Sequence, residues 1–140
     1  MVNEWANFSK EDLFMKTINL SSLDGSNGFR LDGVAAGDLS GGSVSNAGDV
    51  NGDGFDDVIV GAPGASANGP YSGSSYVVFG KASGFSVTMD LSSLDGDNGF
   101  RLDGVAAGDL SGSSVSNAGG VNGDGLDDVI AGALGTAPNG

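Results

Sequence analysis

The sequence predicts an all-β fold built from short antiparallel strands, and three observations carry that prediction. Glycine accounts for 27 of the 140 residues and follows no triplet period, which suits many tight turns and disfavours long helices. The apolar runs are short, as in the β-branched Val58-Ile59-Val60, which Gly61-Ala62-Pro63-Gly64 closes, the pattern of a strand bounded by a turn. Most decisively, Leu20-Ser-Ser-Leu-Asp-Gly25 returns 71 residues later as Leu91-Ser-Ser-Leu-Asp-Gly96.

Aligning 20–69 with 91–140 leaves nine differences: Ser26/Asp97, Gly42/Ser113, Asp49/Gly120, Phe55/Leu126, Val60/Ala131, Pro63/Leu134, Ala65/Thr136, Ser66/Ala137 and Ala67/Pro138. The two copies are one structural unit used twice. The same register sets Trp5 over Tyr76, Phe8 over Phe79 and Phe14 over Phe85. Residues 1–19 therefore read as a degenerate half-repeat that supplies a strand to a blade. Residues 20–90 form the first repeat and 91–140 a truncated second.

Within one period, strands are expected at about 43–48, 57–62, 74–80 and 100–103. Gly61-Ala62-Pro63-Gly64 ends the second, since Pro cannot donate to a ladder. Asp24-Gly25, Asp32-Gly33, Asp95-Gly96 and Asp103-Gly104 are turn dipeptides. Four strands per period is the size of a four-stranded antiparallel β-propeller blade, which must stack on neighbours to bury both faces. The strand order reads as the last two strands of one blade, a complete blade, then the first two strands of another. Two repeat units per chain do not make a ring, so completion is expected from oligomerisation or from a longer parent chain.

The segment joining the first two strands is Asp49-Val-Asn51-Gly-Asp53-Gly-Phe55-Asp56-Asp57. Oxygen side chains at loop positions one, three and five, glycine at six and a carboxylate at nine suit one hard cation, expected to be Ca2+. An EF-hand loop would close with Glu at position twelve, where this chain has Val60. Asp57 must close the site instead, with the main-chain carbonyl of Phe55 at position seven. A solvated Asp/Asn/Gly turn is the plainer alternative. The second copy offers Asn122, Asp124, the carbonyl of Leu126 and Asp128, but Gly120 stands where Asp49 stood, so weaker binding is expected there.

Composition excludes several classes. The net charge of −13 arises from 18 acidic against five basic residues, which leaves no basic footprint for phosphates. Nucleic acid and anionic membranes are thus unsuitable partners. No apolar run reaches the roughly 20 residues of a membrane span, and the start Met1-Val-Asn-Glu-Trp5 lacks the features of a signal peptide. With no Cys and no His, nucleophiles paired with an imidazole base are missing, as are His/Cys zinc sites. Asp56/Asp57 and Asp127/Asp128 could serve as acid and base in a carbohydrate-active or other hydrolytic enzyme. Neighbouring strand residues point to opposite faces, however, and the chain is read as non-catalytic.

Gly41-Gly-Ser43-Val44, the loop Asp49 to Asp57, Val58-Ile-Val-Gly-Ala-Pro63 and Tyr76-Val-Val-Phe-Gly80 occur in the order of a known motif. They resemble the FG-GAP repeats of integrin α-subunit β-propellers and their bacterial relatives. The resemblance implies calcium-stabilised blades, roles in adhesion or in binding a protein or glycan ligand, and an extracellular or cell-surface setting. Two departures stand out: Ser40 replaces the phenylalanine expected before Gly41, and the second copy has Gly132-Ala-Leu134 for Gly-Ala-Pro. The complementary half-blades also suggest a subunit that joins head to tail into a ring or a filament.

Overall fold

The computed structural model describes residues 17–135 and the backbone of one strand at 2–6. Phe8 and Phe14, the side chain of Trp5, and positions 136–140 lie outside the described residues. The strands are β1 (Val2–Ala6), β2 (Gly28–Asp32), β3 (Ser43–Gly48), β4 (Asp57–Ala62), β5 (Ser74–Val78), β6 (Thr88–Asp90), β7 (Gly99–Asp103), β8 (Ser114–Gly119) and β9 (Asp128–Gly132). The helical content of the described residues is two three-residue 3₁₀ turns, Leu20–Ser22 and Leu91–Ser93, capped by Asn19 and Asp90 respectively. No helix among the described residues is long and apolar enough to cross a membrane.

The protein is all-β, and its strands form three sheets. The central sheet is four-stranded and antiparallel throughout, in the order β3-β4-β5-β7. On one side lies the set β1-β2-β6, on the other the pair β8-β9. Shifted by one repeat, β1 and β2 correspond to β5 and β7, while β8 and β9 correspond to β3 and β4. The sheets thus follow the order of half a blade, a full blade and half a blade. The central sheet runs from 43 to 103 and so straddles the sequence repeat boundary at 90/91.

Alternation along the strands decides what each face of the central sheet buries. Val60, Ala62, Tyr76 and Val78 turn toward the first sheet and pack with Phe29, Leu31 and Leu91. Phe29 stacks on Phe85 there, with ring centroids 4.0 Å apart and planes 10° apart. Ala47, Ile59 and Val77 turn the other way, where Val115 and Val129 of the third sheet pack on them. Apolar on both faces, β4 and β5 sit inside a stack of sheets, the packing of propeller blades.

The three-residue strand β6 was not expected from the sequence. It pairs in parallel with β2, Arg30 opposite Thr88, and so ties the connection between β5 and β7 to the neighbouring sheet. Its length carries no periodic signal, and its pairing exists only because the stack brings it beside β2. Arg30 and Arg101 lie two residues from Asp32 and Asp103 on the same strand face. Each forms a forked ion pair, with Nε–Oδ1 distances of 2.7 and 2.8 Å, and exposed pairs of this kind are worth at most about 1 kcal/mol.

Candidate metal centre

The loop between β3 and β4 is ordered by its own carboxylates. Asp49 Oδ1 accepts the N–H groups of Gly52 (2.7 Å) and Asp53 (3.1 Å), and its Oδ2 accepts Gly54 N–H (2.9 Å). Asn51 Oδ1 accepts Asp53 N–H, Asp53 Oδ1 accepts Phe55 N–H, and Asn51 Nδ2 donates to Asp53 Oδ2 at 3.1 Å. Gly52 and Gly54 have φ of +77° and +87°, which lets successive amides turn inward onto one carboxylate.

Asp57 closes the loop from the first residue of β4 and is only 1% exposed. Its Oδ2 accepts Val50 N–H and its Oδ1 accepts Gly80 N–H, at 2.9 and 2.8 Å. The carboxylate therefore joins the loop to the end of β5. Burial pushes the Asp57 carboxyl above the usual range; the Gly80 and Val50 amides oppose this, and the charges of Asp53 and Asp49 add to it. The charges of Asp53 and Asp49 thus act unfavourably on the Asp57 carboxylate, an electrostatic condition that a bound cation relieves.

The second loop repeats part of this. Asp124 N–H donates to Asn122 Oδ1, and Leu126 N–H to Asp124 Oδ1. Asp128 Oδ2 accepts the N–H groups of Val121 (2.7 Å) and Asn122 (3.2 Å), while its Oδ1 takes Asn122 Nδ2 at 3.3 Å. Gly120 supplies no acceptor for the amides of Gly123 and Gly125, which correspond to those that Asp49 collects. Asp128 is partly exposed, unlike Asp57.

Each predicted site residue thus sits on its loop. Among the described residues, however, no three acidic, His or Cys side chains stand together as a ready metal cage. The donor chemistry nonetheless fits a hard divalent cation. Every donor is an oxygen, each carboxylate oxygen can accept more than one partner, and flexible oxygen sets of this type are what Ca2+ takes. The residues that would hold it are Asp49, Asn51, Asp53, Asp57 and the Phe55 carbonyl.

Sequence reasoning named Asp127 only with Asp128 as a possible acid–base pair and missed its role as a link between sheets. It lies one residue before the closing Asp128, and its Oδ2 accepts the Asp49 N–H from the neighbouring sheet. The signal available was the Asp-Asp pair at each loop exit: adjacent residues face opposite ways, so if one closes its own loop the other is free to reach outward. Ser43 Oγ, donating to Gly112 C=O at 2.7 Å, is a second link of this kind. Tyr71 is 59% exposed with φ of +56°, on the loop 64–73 that joins β4 to β5.

Stacked antiparallel blades, with an Asp/Asn/Gly loop at the turn between the first two strands, define a β-propeller-type repeat module. More particularly, residues 40–78 match the family model described as FG-GAP repeat, a stretch that spans β3, the loop, β4 and β5. Such repeats are generally non-catalytic modules. Comparison with curated proteins gives no match.

Proposed function

We propose that this chain is a calcium-stapled FG-GAP propeller module, non-catalytic, that serves adhesion or ligand binding outside the cell or at its surface. The observation that carries this reading is the loop Asp49–Asp57, in which three carboxylates and an amide side chain share one turn and the Asp57 carboxyl is pushed up first by burial and further by the charges of Asp53 and Asp49. Bound Ca2+ would supply positive charge against that repulsion. Asp49 orders the loop amides, and Asp57 fastens the loop to β5 through Gly80. The ion is therefore a structural staple, and ligand contacts are assigned to exposed loop positions such as those within 66–71. Ligand charge count sets affinity in such loops, so the first loop is the stronger site.

Calorimetric titration with Ca2+ and thermal melting with and without chelator test this. Saturation at about 100 times Kd stabilises the fold by about 2.7 kcal/mol if the unfolded chain does not bind. A melting temperature indifferent to both Ca2+ and chelator would refute the staple.

A further inference from the structure

The contact between the central sheet and β8-β9 uses surfaces that the repeat presents a second time, uncovered. Ile59 of β4 is fully buried beneath β8-β9, yet its counterpart Ile130 on β9 is 58% exposed. Val115 packs into that contact from the far side, whereas its counterpart Val44 on β3 is 55% exposed. Val44 and Val58 line a cleft of about 550 Å3 whose opposite wall carries Phe29 and Leu31 of β2. Each chain therefore displays both halves of an interface that it also contains in buried form.

The strand edges tell the same story. Among the described residues β9 pairs only with β8, and β1 only with β2, although the repeat counterparts β4 and β5 pair with each other from Val58 opposite Val78 to Ala62 opposite Ser74. One polar link is open too. Asp127 N–H donates to Asp49 C=O, but its counterpart, Asp56 N–H, has no acceptor among the described residues.

We propose that a second copy of this chain docks head to tail, its β9 adding to the open edge of β1 and its Ile130 face covering Val44 and Val58. This goes beyond the calcium reading and does not depend on it. The occupant is a second copy because the interface is already built once within the chain, from nearly the same residues. The repeat also fixes the register: β9 runs antiparallel to the partner copy's β1, with Ile130 opposite Ala6, as Ile59 lies opposite Val77. The Gly120 N–H of one copy then donates to the Asp56 carboxylate of the other, as Asp49 N–H does to Asp127. The contact is heterologous, so it continues into a ring or a filament. The charge of −13 on each copy opposes association, which therefore strengthens with ionic strength.

The chain has no native cysteine, so single-cysteine variants Ala6→Cys and Ile130→Cys, mixed under mild oxidation, report the register directly. Directly opposed strand residues lie about 4.5–5.5 Å apart, within disulfide reach. The expected product is the mixed disulfide, with little from either variant alone and little when Ile130→Cys is replaced by Ser116→Cys on β8. In sedimentation, the unmodified chain should form oligomers, and Val44→Asp should abolish them while retaining the β-sheet circular dichroism spectrum. A folded chain that remains monomeric at high concentration and raised salt overturns the proposal, because that face then belongs to some other partner. Oligomers that cross-link only through the β8 variant overturn the register and with it the proposal.

Discussion

Asp49 and Asp127 hold each other across neighbouring sheets. The Asp49 N–H donates to Asp127 Oδ2 at 2.9 Å, and the Asp127 N–H donates to the Asp49 carbonyl at 3.1 Å. The residue that organises the first loop with its side chain is thus anchored to the second loop by its main chain. Order in one loop is thereby coupled to the seating of the next sheet.

Gly48 leaves room for this anchor. Its φ is +73°, and a Cβ there would lie 2.1 Å from Asp127 Oδ2, whereas Gly119, with φ of +68°, has nothing within 4 Å. Gly119→Ala should therefore show the left-handed backbone penalty alone, about 1–2 kcal/mol. Gly48→Ala should add to it the loss of the Asp49–Asp127 bond, roughly another 1–2 kcal/mol. Urea unfolding of the two variants measures the difference; equal losses would show that the anchor contributes nothing.

Asp57 and Asp128 close equivalent loops with unequal networks. Asp57 is buried and takes amides from both Val50 and Gly80, whereas Asp128 is half-buried and, among the described residues, bonds within its own loop. Asp57→Ala leaves two partly buried donors without acceptors and should cost about 2–3 kcal/mol. Asp128→Ala should cost less. Chemical denaturation in excess chelator measures both without any contribution from metal.

The two loops should also differ in calcium affinity. Asp49→Gly should reduce the first loop to the level of the second, and Gly120→Asp should raise the second. The backbone at Gly120 is not left-handed and its Cβ would meet only the Leu126 carbonyl at 3.1 Å, so the added side chain needs little adjustment. Isothermal titration of both variants measures this, and two equal sites in the unmodified chain would contradict the asymmetry.

Acid sensitivity should differ between the two 3₁₀ turns. Asp90 caps Leu91–Ser93 by accepting from Ser92, which holds its carboxyl below the usual range. A depressed folded-state pKa contributes stability that is complete above the unfolded value and lost as pH falls through the folded one. Asn19 caps the equivalent turn in the same way without titrating. Asp90→Asn should keep the cap and remove its share of the acid-induced loss, seen as a shallower fall of melting temperature below pH 4.

Much of the molecule was legible along the chain because its information is local or periodic. Alternation and turn residues placed β3 and β4 at their observed limits, and β5 and β7 to within about two residues, as expected for element ends. The 71-residue register foretold which strands would share a sheet with which. The loop Asp49–Asp57 announced itself through donors at alternate positions, and the contrast between Asp49 and Gly120 needed no coordinates.

Other features required distance in space. The pairing of β6 with β2, the reach of Asp127 to Asp49 and the grip of Asp57 on Gly80 join residues far apart in sequence, and neither propensity nor spacing encodes such contacts. The sequence by itself determined the strands, the repeat and the oxygen-rich loop, since each follows from side-chain chemistry at fixed intervals. Tertiary structure alone decided which carboxylate faces inward, which reaches to the next sheet and which apolar faces remain open, because those outcomes depend on how the sheets stack.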